Sequence, residues 1–358
     1  MTAGMRIAII ASARFPIRQP FAGGLEAHTW SLAEGLRRRG HQVTLFAEAA
    51  DRALSVASVR SRWPEISVAA SRDPSAAPKA FLDEHHAYLS VMMRLIDTAE
   101  GQFDVVHNNS LHHLPVAMAP AVPVPMITTL HTPPIPWLES AIQISADPGT
   151  FVAVSHHTAR SWRHVVPEAE VIHNGVDLAR WPVGPGGNAL VWSGRVVPEK
   201  GPELAIAAAR RAGLPLTIVG ACPYPEYFET AIAPLLGDGI TYLGHLRSAE
   251  LADLLGRSGA CIVSPRWDEP YGLVAAEALA CGTPVAAFAR GGLPEVVGPD
   301  SGVLVPADDV DALAEAAVTA MSLSRTAARA RAESFCSVER MLDRYEGLYT
   351  RLTSRLAA

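Results

Sequence analysis

Cysteine is scarce in this chain, four in 358 residues, and Cys222, Cys261, Cys281 and Cys336 form no CxxC pair. That excludes a disulfide framework and suits a reducing compartment. Cys261 falls in an apolar strand-like run and Cys281 at the end of a helical one, where small buried residues are expected. Charge is also sparse: 18% of residues are charged and the balance is acidic, net −6 at pH 7. A general nucleic-acid binder needs a basic surplus, so that class is excluded. The one short basic run, Arg37 to Arg39, reads as the solvated end of a helix, with a membrane-surface contact as the alternative. Long hydrophobic runs are missing too. The opening MTAGMRIAIIASARF is too short in its apolar part for a signal peptide or a membrane span, and reads as a first strand, Arg6 to Ser12. A cytoplasmic protein with at most peripheral membrane contact is expected. Neither GxGxxG nor HExxH occurs, so a simple dinucleotide site is not indicated, and the histidines near His107, His112, His113 and His131 show no compact metal-ligand spacing. No metal and no cofactor is expected.

What the chain does have is apolar content, 49%, and length enough for about two domains with their own cores. Short Val- and Ile-rich runs alternate with helical stretches: Arg6–Ser12, Gln42–Ala47, Asp104–His107, Pro125–Leu130, Phe151–Ser155 and Val171–His173, with helices at Leu25–Arg39 and Ala80–Ala99. Several of the runs are apolar throughout, which suits a parallel sheet covered on both faces. The alternation implies an α/β fold of doubly wound sheets. The Pro/Gly-rich run PVGPGGN has linker composition and sets the boundary between a first domain, 1–182, and a second, 188–335.

The segment Ser264 to Thr283, SPRWDEPYGLVAAEALACGT, organises the second half. It joins two buried strands (260–263 and 284–288) and carries Glu269 in a loop and Glu277 on a helix that starts near Gly272. A strand, a carboxylate-bearing loop and a Gly-initiated helix describe the ligand crevice of a parallel sheet. The amides of Gly272 and Leu273 are free at that helix start, where the dipole favours an anion. Upstream, Gly194-Arg195 ends a strand and Lys200-Gly201 opens a helix, which puts two cations at the same edge; a solvated basic loop is the alternative. In the first half, Gly23 and Gly24 precede a helix and either shape a turn or let backbone approach a ligand. His107 and His131 each fall at the end of a strand, at the sheet edge where ligands bind, though a histidine there is often a hydrogen-bonded structural residue. Asp309-Val310-Asp311 reads as a helix cap, and Ser155 as another.

Glu-x7-Glu with Pro-Tyr-Gly-Leu after the first Glu, Gly-Arg-x4-Lys-Gly before it, Gly-Gly-x-Glu near the N-terminus and Leu-His at residues 130–131 together resemble the retaining glycosyltransferases of family 4, over nearly the whole chain. The resemblance implies the GT-B fold, two Rossmann-like doubly wound parallel-sheet domains facing a central cleft, with a C-terminal helix (336–358) packing back on the first. It implies metal-independent transfer of a sugar from a UDP- or GDP-linked donor to the hydroxyl of a small-molecule, glycan or lipid-linked acceptor. His131, Glu269, Arg195 and Lys200 are then the catalytic residues. Gly23, Gly24, Gly194, His245, Leu246, Tyr271, Gly272, Leu273 and Glu277 complete the donor site, and His107 borders the acceptor. Gly291, Gly292 and Glu295 mark another helix start and a second phosphate neighbour. Two departures stand out: Asn109 replaces a second His of many relatives, and ACPYPEYF follows Gly220 where a Gly-rich stretch is usual. A GT-B nucleotide-sugar epimerase or a non-catalytic binding protein would keep much of this donor site.

Overall fold

The computed structural model describes residues 4–51, 54–59 and 66–356. Its frame is two all-parallel sheets. The first contains β1 (Arg6–Ile10), β2 (Gln42–Ala47), β3 (Ser55–Ser58), β4 (Val105–Asn108), β5 (Met126–Leu130), β6 (Thr150–Ala153) and β7 (Glu170–Val171), in the order β3-β2-β1-β4-β5-β6-β7. The second contains β8 (Leu190–Ser193), β9 (Leu216–Val219), β10 (Ile240–Tyr242), β11 (Ala260–Val263), β12 (Val285–Phe288) and β13 (Gly302–Val305), in the order β10-β9-β8-β11-β12-β13. Each chain of strands runs outward from β1 or β8, returns, and continues on the other side. The strand order therefore reverses between β1 and β4 and again between β8 and β11, and ligands of open α/β sheets lie at such reversals.

The buried strands explain themselves from composition. Ile7 to Ile10 and Ala260 to Val263 are apolar on both faces and fully covered by helices. Two strands escape the sequence reading, β3 and β13. The first is a four-residue edge strand of alternating Ser, Val and Ala, too weakly apolar to register. Helix Gly24–Arg38 begins one residue earlier than expected, and Ser155 and Asp309 cap their helices through hydrogen bonds from the amides of Thr158 and Ala312.

The final helix, Val338–Leu356, packs on the first sheet. Val338, Met341, Leu342, Tyr345, Leu348 and Tyr349 share one core with Ile7, Ile9, Leu45, Val105 and Ile127. Arg39 is not the solvated helix end that was expected. Its guanidinium reaches Asp343 Oδ1 and Glu346 Oε2 (both 2.7 Å) and the Glu339 carboxylate on that helix. No helix of the described residues is long and apolar enough to cross a membrane.

Candidate functional site

A cleft of about 470 Å³ lies where the two strand reversals face each other. From the first sheet it receives Ser12 and Arg14 beyond β1, Leu111 beyond β4 and His131 beyond β5. From the second come Gly194 and Arg195 beyond β8, Gly220 beyond β9, His245 and Leu246 beyond β10, and Ser264 to Val274 beyond β11, save Arg266 and Asp268. Gly23 and Gly24 also line it. A Cβ on Gly24 would meet the Leu273 side chain at 3.2 Å, so its lack of a side chain lets the two halves approach there.

Helix Leu273–Ala280 points its N-terminus into this space. Its N-cap, Gly272, sits at φ +100, and a Cβ there would lie 2.5 Å from Leu293 Cδ2. Only glycine tolerates both conditions. The amides that begin the helix have no intrahelical acceptor, which makes this end an anion site. Lys200 Nζ is bonded to the Glu269 carboxylate and lies 4.8 Å over the Trp267 ring, whose Nε1 donates to Glu269 Oε1 at 3.1 Å. Glu269 is only 9% exposed. Arg195 pairs with Glu199 at 3.6 Å and lines the cleft. Glu277 lies one helical turn in, half-buried, and desolvation pushes its carboxyl up to about 8.

On the opposite wall His131 Nε2 is 2.7 Å from Asn109 Oδ1 and its ring meets His28 edge-on, centroids 4.9 Å apart. Burial, first of all, drives the His131 imidazole well below its ordinary range, with His28 and His107 adding to it. It is therefore a neutral hydrogen-bonding group at physiological pH.

Every expected donor-site and catalytic residue lines this one cleft, with one qualification of role. Tyr271, 2% exposed, carries its ring into the apolar core of the second domain, 6.1 Å from the His173 ring. His107 is corrected outright: it does not border the cleft. β4 extends to Asn108, and strand alternation turns His107 to the covered face, where Nδ1 meets Tyr349 Oη at 2.6 Å and Nε2 meets Thr129 Oγ1 at 2.7 Å. Glu295 is corrected as well. Instead of neighbouring a phosphate it accepts the amides of His156 and His157 (2.9 and 2.8 Å) and His173 Nε2 (2.9 Å), tying the second half of the chain to the first. Burial alone would raise that carboxyl, but His173 and the two amides outweigh it and hold it down at about 2.

Several cleft residues escaped the sequence reading: Glu26, Arg14, Trp181, Trp192 and Trp267. Glu26 had a signal, the Gly-Gly-x-Glu stretch itself. It is buried, its carboxyl raised by desolvation, and it faces Arg195 across the cleft.

Among the described residues, two groups of side chains bring metal-ligand atoms within 4.8 Å: His85, His112 and His113, and His156, His173 and Glu295. In the first, His112 Nδ1 already accepts the Leu114 amide, and the His112 and His113 rings are stacked at 26°, so their lone pairs run side by side rather than converge. In the second, the carboxylate is spent on amides and His173.

The profile described as "Glycosyltransferase Family 4" matches residues 22–180, and "Glycosyl transferases group 1" matches 179–334. The glycogen synthase of Mycobacterium tuberculosis is 30% identical, over 87% of this chain and 85% of its own. The D-inositol 3-phosphate glycosyltransferase of Mycobacterium avium is also 30% identical, over 90% of this chain and 89% of its own. The chain belongs to the group 1 glycosyltransferases. The fold agrees: the Anabaena Alr3699/HepE structure in complex with UDP and glucose superposes with a TM-score of 0.74 at 17% identity, covering 97% of this chain and 99% of that one. This family 4 glycosyltransferase thus places its motif residues on a GT-B frame, in one cleft between two parallel-sheet domains.

Proposed function

We propose that this glycosyltransferase moves a sugar from a nucleoside diphosphate sugar to an acceptor hydroxyl, with retention at the anomeric carbon and without a metal. The observation that carries the proposal is convergence: Arg195, Lys200, the amide end at Gly272 and the carboxylates of Glu269 and Glu277 all face one cleft. The diphosphate sits against the two cations and the helix amides. These stabilise the charge that builds on the leaving group, and fixed positive charge there does what a metal would otherwise do. Glu269 accepts hydroxyls of the transferred sugar, Glu277 accepts those of the ribose, and neutral His131 orients the sugar from the opposite wall. The base packs at Gly244 to Leu246. No carboxylate is assigned as a covalent nucleophile; the acceptor attacks on the face the diphosphate leaves, and the leaving phosphate takes its proton. A UDP-linked donor is supported by the UDP and UDP-glucose held by the superposable HepE structures. We take 1–182 and 188–335 as the two working domains, which close on the substrates to bring donor and acceptor together. Four free cysteines suit a cytoplasmic setting.

The test is a panel of UDP-, GDP- and ADP-sugars with candidate acceptors, followed by proton NMR of the product's anomeric centre. Transfer with retained configuration, unchanged by EDTA, is expected. Isomerised donor, an inverted product or loss of activity to the chelator would each count against the scheme.

A pH dependence follows from Glu277. In the empty cleft it holds its proton at neutral pH, whereas ribose hydroxyls donate to the ionised form. Binding therefore expels a proton. Affinity for a nucleoside diphosphate should rise with pH up to about 8, by at most about tenfold per unit, and level off above it. Calorimetry in buffers of different ionisation enthalpy reads the released proton directly. Glu277→Gln removes that component and leaves only the titration of the phosphate itself. Equal proton release by the two proteins would remove Glu277 from the ribose site.

A further inference from the structure

Beyond the cleft, the outer surface of the first domain carries an aromatic patch that the donor reading leaves unused. Trp137 is 62% exposed and Phe81 41%, both large apolar side chains facing solvent, with ring centroids 6.3 Å apart. The Trp137 indole is backed by the His113 imidazole, stacked at 28° with centroids 5.1 Å apart, and His85 lies stacked against Phe81 at 19°. Trp137 is therefore a flat, fixed face rather than a swinging side chain.

This patch is continuous with the cleft on two sides. His113 follows Leu111, which lines the cleft, by two residues. Arg14 and Phe15 line the cleft as well, and Arg14 Nε bonds Glu84 (3.0 Å to each carboxylate oxygen), one turn along the helix Lys79–Thr98 from Phe81. Phe15 is itself 48% exposed. These rings therefore neighbour the first-domain wall of the cleft.

We infer that Trp137, with His113 behind it and Phe81 beside it, is an acceptor subsite that stacks a sugar ring of an oligosaccharide or glycoside acceptor. The inference rests on reading the cleft as a sugar-transfer site and names the class of acceptor it serves. The chemistry favours a sugar over a lipid surface. The apolar C–H face of a pyranose matches an indole plane, while its equatorial hydroxyls need polar groups at the edge. Arg14 and Glu84, bonded to each other, and His85 beside Phe81 supply such a rim. An anionic membrane would instead call for a basic cluster, and acidic Asp83 and Glu84 stand on the helix of Phe81 in a chain of net charge −6.

The experiment uses the full chain against an immobilised panel of neutral oligosaccharides, with anionic phospholipid vesicles as the competing surface. The wild type should retain at least one oligosaccharide class. Trp137→Ala should weaken that binding about tenfold, as truncating a central aromatic anchor does, and Trp137→Phe should recover most of it. Binding of UDP, measured in parallel, should be unchanged in both variants. A loss of UDP binding by the wild type itself would indict the donor reading, not this subsite. Absence of oligosaccharide binding, equal binding by Trp137→Ala, or Trp137-dependent vesicle binding would each overturn the inference.

Discussion

Lys200→Ala is expected to cut sugar transfer by about 10²–10³-fold, the usual cost of deleting one fixed positive group from an electrostatic transition-state site. In the structure Lys200 does not wait in solvent; its ammonium is bonded to the Glu269 carboxylate and rests over Trp267. The pair holds both groups where a donor would meet them. When a diphosphate enters, the ammonium turns toward it, and Glu269 is released to accept sugar hydroxyls. One substitution therefore removes two things, the charge that answers the leaving group and the partner that positions Glu269.

The same geometry gives a stability signature that separates this account from a merely catalytic one. Without Lys200, Glu269 keeps only the Trp267 Nε1 donor at 3.1 Å. Leaving a buried carboxylate short of a partner costs about 1–3 kcal/mol. Lys200→Ala should accordingly unfold at lower denaturant than the wild type. Adding Glu269→Gln, which removes the stranded carboxylate, should restore part of the stability loss while transfer stays low. Chemical denaturation of the two single variants and the double variant measures the coupling. Strictly additive losses, or wild-type turnover in Lys200→Ala, would show that the pair is neither a structural nor a catalytic unit.

How far the site could be read from the sequence depends on distance along the chain. Arg195, Lys200 and Glu269 were legible because they fall in loops that follow a buried strand, and Gly272 and Glu277 because they open the next helix; strand ends and helix starts in parallel sheets share one edge. Locality also explains the failures. His107 looked equivalent to His131, yet one residue of strand length and the alternation of side chains put it on the opposite side of β4. Its partner Tyr349 comes 242 residues later, and no local pattern announces that contact. Arg39 misled for the same reason, since its acidic partners lie on the last helix. Glu295 was placed correctly at a helix start, but its ligands turned out to be amides of the first domain rather than a phosphate. Trp137 gave no signal at all. A lone Trp after Pro reads as an ordinary core residue, and only the fold shows that it faces outward beside the cleft.

The last helix carries the largest expected effect on stability. Tyr345 and Tyr349 are both fully buried, and their hydroxyls reach Thr129 Oγ1 at 3.1 Å and His107 Nδ1 at 2.6 Å. Burial drives His107 down to about 3, so it is neutral at any physiological pH and needs a neutral partner, which a phenol supplies. Tyr349→Ala empties a large volume from this core and strands one imidazole nitrogen. Aromatic-to-Ala changes cost about 3–5 kcal/mol, and the orphaned nitrogen adds to that. Tyr349→Phe keeps the ring and should cost only the smaller share, about 1–3 kcal/mol. Because Tyr349 packs with Ile9, Val105 and Ile127 and not with the second sheet, the loss should fall on the first domain. Calorimetry should show the first domain's transition moving down in Tyr349→Ala while UDP, held mainly by the second domain, still binds and still protects it. A uniform shift of all transitions, or equal effects of Ala and Phe, would mean that the C-terminal helix stabilises the molecule by some route other than the His107 and Thr129 core.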